Sequence, residues 1–459
     1  MGNVGLRNSL SQLLSRAIVR DAVSTTVWST MGKGVGFLVP FFIAAWFGVS
    51  SETDAFFFSY GIILFFAHIF SPVVETVIVP YIAEARTRDE DVGRFVGQII
   101  GLSGALILLL SGLIILVIKP VLGLVTHFDQ KSLQMAYSLL VETAPLMLLL
   151  IWTSVLSGAL NAYKKFIYAA VSPAFRAAMN LTVIFLLKDR MGVHAVALGY
   201  ILGELVRLAI LFIAPARLKI FTLKISLKRD VKIREFIKTS SFQVFGMVAV
   251  GLNPVIDKIM ASWMAIGTVT LLEYADRLII IPLTLIESGF VVVFLSYMSE
   301  RFYKSMDIKL LKKDLLRAAG ATGLSSFLLM AFLMLIHNPL TRIAFGRGKF
   351  PLDNLKDVRI LFLLLLIGLV PHTVNQILIR GLIILKNTKS LFKALLLRNF
   401  LKIILNLGLI LLFGIYGIAL ATSISAFLVL AYVWTEFRRT IVRPIPSSKE
   451  TKSVVDLSG

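Results

Sequence analysis

The stretch ETDAFFFSYGIILFFAHIFSPVVETVIVPYIAEARTR, residues 52–88, decides the fold. From Asp54 to Ile82 it is almost wholly apolar, and it closes on Arg86 and Arg88. About 20 apolar residues suffice for a helix to cross the hydrocarbon of a bilayer. A helix is also the only open-ended element that satisfies its own backbone there. The same alternation of long apolar run and short basic loop recurs along all 459 residues, 57% of which are hydrophobic and 16% charged. Mean hydropathy is +0.86, so the chain reads as a polytopic, all-α membrane protein.

Hydropathy predicts twelve spans: 26–47, 54–82, 96–118, 133–158, 166–187 and 192–213, then 239–263, 269–298, 315–337, 357–385, 390–413 and 415–437. Basic residues choose the orientation. Arg86, Arg88 and Arg94, the pair Lys164 and Lys165, and the linker 214–238 all fall on one side. So do Arg301 with Lys304, Lys386 with Lys389, and Arg438 with Arg439. The exceptions opposite are Lys188 with Arg190 and the stretch 338–356. Both termini are therefore expected on the cytoplasmic side of the membrane. The net charge of +21 follows from this positive-inside pattern and from contact with anionic lipid, and needs no nucleic acid. With no cysteine, disulfides and thiolate chemistry are excluded. Residues 1–25, with Arg7, Arg16 and Arg20, read as an amphipathic segment on the cytoplasmic surface rather than a cleaved signal. No GxxxxGK[ST] or HExxH pattern occurs, so neither ATP hydrolysis nor a metal centre is expected.

The chain repeats itself. Asp54 and Asp276 are 222 positions apart, as are His194 in GVHAVALGYI and Tyr416 in GIYGIALATSI. The expectation is two six-helix lobes, 26–213 and 239–437, joined by the basic linker 214–238, related by a pseudo-two-fold axis along the membrane normal, and followed by a cytoplasmic tail 438–459. Lobes of that kind suit a monomeric transporter that alternates access. Ionisable groups at membrane depth cost free energy and mark a polar path. Lys33 sits among Gly32, Gly34 and Gly36, where its ammonium can approach an anion. Asp54 opens a helix, where the dipole favours a carboxylate. Asp276 and Arg277 are adjacent and cannot face each other on a helix. Arg277 and Arg380 offer planar forks suited to phosphate oxygens. Glu75, Glu142, Arg176 and Glu287 are further cavity or coupling candidates, whereas Glu204 reads as a simple partner of Arg207, three residues on.

Four stretches carry a resemblance: GVGFLVPFFIAAWFGVSSETDAFFFSY (34–60), LSGALNAYKKFIYAAVSPAFRAAMNL (156–181), LLEYADRLIIIPLTLIESGFVVVFLSYMS (271–299) and 375–428 from NQILIRGLIIL onward. Together they resemble the lipid II flippase family of the multidrug/oligosaccharidyl-lipid/polysaccharide exporter superfamily. The resemblance implies a non-enzymatic flippase for a polyprenyl-pyrophosphate-linked saccharide, a cationic cavity, no cofactor, and coupling to membrane potential or to an H+ or Na+ gradient. It implies substrate contact for Lys33, Asp54, Asp276, Arg277 and Arg380. Two departures stand out. Val39 and Pro40 occupy positions where the family usually has Arg-Asp, and GIILFFAHIFSPVVETV (61–77) replaces its arginine-rich second helix. The family's final helix pair is also missing from the twelve-span count. The cargo is thus either the peptidoglycan precursor or another lipid-linked unit of O-antigen, capsule or exopolysaccharide. A cation-coupled drug antiporter is the more distant alternative. A glycan polymerase would need a larger external loop than 338–356.

Overall fold

A computed structural model describes residues 34–218, 220–228, 230–286, 307–385 and 387–442. Lys33, Glu287, the segment 1–25 and the tail beyond 442 lie outside these. The described helices are α1 (Gly34–Phe47), α2 (Ser51–Thr87), α3 (Val92–Val125), α4 (Gln130–Thr143), α5 (Pro145–Ala162), α6 (Phe166–Met191), α7 (His194–Arg217), α8 (Val231–Ala261) and α9 (Thr268–Ile286). They continue as α10 (Ile308–Phe345), α11 (Leu352–Ile367), α12 (Leu369–Ile384), α13 (Thr388–Phe413) and α14 (Ile415–Val442). α4 with α5, and α11 with α12, form single spans across a break at Ala144 and Gly368.

The fold is all-α and polytopic. Each of the twelve expected spans meets a helix. Among the described residues, nine helices are long and apolar enough to cross a membrane, or ten if α8, bent by 47°, is one span. The count falls short of twelve for two reasons. α1 is described only from Gly34. α9 carries Glu273, Asp276 and Arg277 within one short helix, which is more charge than a plain hydrocarbon-facing span tolerates.

The described residues form two compact units. The first runs to Arg277 and adds Leu340–Val358; the second takes Leu278–Pro339 and the chain from Arg359. In the first unit, Ser50 and Thr53 start α2 with a reciprocal capping box, which satisfies backbone donors that a helix start leaves open. Buried Ile63, Ile78, Ile82, Val96, Val155 and Leu160 hold α2, α3 and α5 together. The basic linker lies wholly in this unit. It runs extended along Gly93, Gly97 and Gly101 of α3, where a Cβ would collide with the carbonyls of Thr222 and Lys224 or sit 2.6 Å from that of Ser226. Those glycines let Lys224 and Ser226 donate their backbone N–H to Gly93 and Gly97 at 3.3 and 3.4 Å. The Asp91 carboxylate, which caps α3, accepts from Lys224 Nζ at 2.6 Å.

The α6–α7 hairpin packs at backbone distance. Gly199 and Gly203 of α7 face α6, a small-residue spacing that suits close helix approach in membranes. Asn180, with its amide nitrogen turned toward them, donates to the carbonyls of Gly199 and Arg176 at 2.7 and 3.0 Å. In the second unit, Leu378, Leu382, Val433 and Phe437 form the core, and Ser326 bonds Thr373 at 2.7 Å between α10 and α12.

Candidate functional site: two bridged cation clusters

α2, α7 and α9 begin at the same end of the first unit. Asp54, in the first turn of α2, reaches across and caps α9: its carboxylate accepts from the backbone N–H of Gly267 at 2.5 Å and of Thr270 at 2.8 Å, and from the Thr270 hydroxyl at 2.6 Å. Open amides at a helix start are a natural seat for a carboxylate. The aspartate is 3% exposed, and all these contacts tie one helix start to another.

About ten residues further in, roughly 14–15 Å at 1.5 Å per residue, come Tyr60, Glu204 and Arg277, a distance from the helix starts comparable with half of a hydrocarbon core about 30 Å thick. Here the unit carries two clusters of the same composition. In one, Glu204 Oε2 accepts from Arg176 Nη1 at 3.2 Å, while its Oε1 accepts from Arg207 Nη1 at 3.1 Å and from Thr153 Oγ1 at 2.7 Å. In the other, Glu273 Oε1 accepts from Arg277 Nη2 at 2.5 Å and Oε2 pairs with Lys258 Nζ at 2.7 Å. Lys258 Nζ also donates to the Phe57 carbonyl at 2.9 Å. It can do so because residue 61 is glycine: a Cβ there would lie 2.8 Å from Lys258 Cδ.

Counted over the bonded groups alone, each cluster holds two cations on one carboxylate, a net charge of +1; Glu75 adds a second carboxylate within electrostatic reach of Arg207. The carboxylates are the inner members, with side chains 1% and 6% exposed for Glu204 and Glu273, while Arg176 and Arg277 keep 32% and 24%. Between the clusters lies an aromatic pair, Tyr60 and Tyr200, with ring centroids 4.6 Å apart. Both tyrosines are within electrostatic reach of Arg176 and of Arg277. The Nε atoms of Arg176, Arg207 and Arg277 are buried and find no acceptor among the described residues. The arrangement can hold an anion against the part-exposed guanidinium groups of Arg176 and Arg277, beside two tyrosine rings tilted by 47° to each other.

The structure thus brings Arg176 and Arg277 into one site. It adds three residues that sequence reading did not select, Glu273, Tyr60 and Tyr200, and it gives Lys258, legible as a charge at membrane depth, its partner in Glu273. Arg277 takes its partner from Glu273, a full turn back, rather than from the adjacent Asp276. Glu204 does pair with Arg207, but it also binds Arg176 on another helix. Glu142 stands apart, accepting from Ser138 Oγ at 3.0 Å and facing His194 Nδ1 at 2.8 Å. Glu75, further along α2, lies within electrostatic reach of Arg207. Arg380, on α12, belongs to the second unit, where its Nε finds no acceptor among the described residues. No group of three His, Cys, Asp or Glu suited to a metal occurs among the described residues.

A separate cavity of about 520 Å³ opens at the basic end of the first unit, lined in part by Arg86, Asp91, Tyr163, Phe221 and Lys224. Its charges are already spent on one another: Lys224 on Asp91, and Arg86 on the Ala162 carbonyl and over the Tyr163 ring at 4.3 Å. The mid-membrane clusters, with cations outnumbering carboxylates, are the stronger site.

Comparison with known proteins gives a consistent result. The family model described as lipid II flippase MurJ matches residues 43–455. The probable lipid II flippase MurJ of Buchnera aphidicola (from Acyrthosiphon pisum) is 26% identical over 89% of this chain and 81% of its own length. That of Vibrio cholerae is 23% identical over 92% and 83%. Among solved structures, a lipid II flippase MurJ in an inward closed conformation superposes with a TM-score of 0.77 at 22% identity, covering 92% of this chain and 89% of that one. An inward-facing multidrug resistance MATE family transporter of the MOP superfamily gives 0.71 at 14% identity, over 92% and 98%. At these identities the solved structures establish the shared fold.

Proposed function

The chain belongs to the lipid II flippase MurJ family, a family of transporters rather than enzymes, and from that premise we propose that it carries a polyprenyl-pyrophosphate-linked glycan from the inner to the outer leaflet of a bacterial inner membrane. The observation that carries this reading is the pair of net-positive clusters, Arg176–Glu204–Arg207 and Lys258–Glu273–Arg277, at mid-membrane depth. A pyrophosphate cannot cross hydrocarbon unaided, because an ion loses its hydration there. Spare guanidinium donors replace that hydration, and the prenyl tail stays in lipid. Tyr60 and Tyr200 offer aromatic faces against which a sugar ring can pack.

In this reading Lys33 and Arg380 supply further cations, and the lobes 26–213 and 239–437 rock about the site with both termini in the cytoplasm. The protein works as a monomer. Membrane potential, or an H+ or Na+ gradient, drives the return, since each charge crossing the field is worth about 2.3 kcal/mol per 100 mV. The family name favours lipid II as cargo. The absence of cations at Val39, Pro40 and 61–77 favours a second reading, in which the glycan is another polysaccharide repeat unit.

The test is headgroup translocation in proteoliposomes, with polyprenyl-pyrophosphate disaccharide-pentapeptide beside a polyprenyl-linked capsular-type sugar, for wild type and Arg277→Ala. Movement of the peptide-bearing lipid, reduced at least about tenfold in the variant as expected for loss of a charge-assisted contact, supports the cell-wall cargo. Movement of the other glycan alone selects the second reading. Movement of neither sinks both.

A further inference from the structure

In both clusters the carboxylate sits behind its cations. Glu204 and Glu273 are almost wholly buried, and both oxygens of each are occupied. The cations keep the remaining exposure. An anion that reaches the part-exposed guanidinium groups of Arg176 and Arg277 meets charge that has already been half cancelled from within. Two unpaired cations per cluster would grip a phosphate far more strongly, since Coulomb energies grow as the local dielectric falls. A transporter gains nothing from a grip that holds cargo equally in every state, because tight uniform binding slows the step that must let go.

We infer that Glu204 and Glu273 are attenuating carboxylates, which hold each phosphate-binding cluster at a net charge of +1 so that the cargo can leave as well as bind. This rests on the proposed function and adds to it a role for two acidic residues that do not themselves meet the cargo. They act as positioning residues through Arg176, Arg207, Lys258 and Arg277.

The measurement is equilibrium binding of farnesyl pyrophosphate to the full-length protein in nanodiscs, paired with translocation rate in proteoliposomes. Glu273→Gln and Glu204→Gln keep the shape and remove the charge. Each is expected to bind the probe about tenfold more tightly, which corresponds to about 1.4 kcal/mol, and to translocate more slowly at saturating lipid. Glu273→Asp and Glu204→Asp keep the charge and are expected to stay within about twofold of wild-type binding on the same scale. The double variant Glu204→Gln/Arg207→Gln restores the net charge and is expected to restore wild-type affinity, a coupling that a double-mutant cycle isolates. A purely structural role makes the opposite forecast: Gln and Asp variants alike bind equally or more weakly because the arginines are misplaced. That result, in protein that still elutes as a folded monomer, overturns the inference and leaves the flippase reading intact. Should a Gln variant fail to fold, the Asp and double variants decide alone: binding lowered in both counts against attenuation. Wild type that ignores farnesyl pyrophosphate, with Arg277→Ala making no difference, overturns the flippase reading and this inference together.

Discussion

The α6–α7 hairpin of the first unit and the α13–α14 hairpin of the second share one backbone plan and differ in their charges. Both turn on a glycine, Gly192 and Gly414, 222 positions apart. The two glycines share one conformation, with φ 56° in both and ψ −137° and −135°. Where the first hairpin has Arg176, the second has Arg398. The small residues that let α7 approach α6, Gly199 and Gly203, correspond to Ala421 and Ser425, both buried. The electrostatic partners do not correspond. Glu204 and Arg207 become Ala426 and Val429, and Asn180 becomes Lys402. Repetition has preserved the steric rules of a helix hairpin and one arginine, and has changed the charges around it. That is the expected division if packing is needed twice and the anion site on these helices once.

The largest test of this comparison is at the small positions. A Cβ on Gly203 would collide with the Asn180 amide and lie 2.6 Å from the Arg176 carbonyl. Backbone cannot yield as a flexible side chain can, so α7 must move away from α6. Gly203→Ala is expected to cost about 3 kcal/mol, the upper range for overpacking, and to disturb the Arg176–Glu204 bridge. Its counterpart Ser425→Ala loses only a local bond to the Thr422 carbonyl at 2.8 Å and should stay within about 0.5 kcal/mol of wild type. Thermal unfolding of the two variants in detergent checks both. Similar losses would break the claim that the first hairpin is the more tightly constrained copy.

A second test sharpens what the copies share. With positive φ at both turns, an L side chain is strained at either glycine, whatever the surrounding space. Gly192→Ala and Gly414→Ala are each expected to destabilise by about 1–2 kcal/mol, and by similar amounts. The same unfolding measurement applies. Penalties that differ by more than about 1 kcal/mol, the spread usual for a backbone-strain term, would mean that tertiary surroundings, not the turn itself, set the cost.

The hydropathy of 52–88, the basic loops and the 222-residue repeat made the helical membrane fold legible before any coordinates. Arg176 and Arg277 were legible as charges at membrane depth. Their partners were less so. Glu273 stands four residues before Arg277, the spacing of neighbours on a helix, and this signal was present but overshadowed by the adjacent Asp276. Lys258 reaches Glu273 from another helix through the gap at Gly61, and no periodicity announces a gap. Tyr60 and Tyr200 lie on two helices, α2 and α7, and no spacing along the chain announces that their rings meet. Asp54 was legible as a helix-start carboxylate, but the helix it caps, α9, lies more than 200 residues away. One-dimensional spacing finds pairs on one helix; a site assembled from α2, α6, α7, α8 and α9 needs the packing.

The smallest effect contrasts the mid-membrane ion clusters with the one holding the linker to α3. Asp91 and Lys224 form their pair in water, with side chains 45% and 64% exposed. The Lys224 hydrogen bond, assisted by the Arg94 backbone N–H, holds the Asp91 carboxyl below the usual carboxylate range. A carboxylate whose pKa is lower folded than unfolded contributes stability that is complete above its ordinary value near 4. That contribution is lost as pH falls through the lowered value. Docking of the linker is therefore expected to be flat from pH 8 to about 5 and to weaken only on stronger acidification. It should also weaken modestly with salt, since exposed pairs contribute less than about 1 kcal/mol. Hydrogen exchange at Lys224 and Ser226, whose amides bond the α3 carbonyls, reads this directly. Gly97→Ala, which drives a Cβ into the Lys224 carbonyl, should accelerate that exchange at every pH, whereas Asp91→Asn should remove only the acid-sensitive part. Equal behaviour of the two variants would mean that charge, not the glycine track, holds the linker. The contrast between a screened surface pair and the half-neutralised clusters within the membrane would then have to be redrawn.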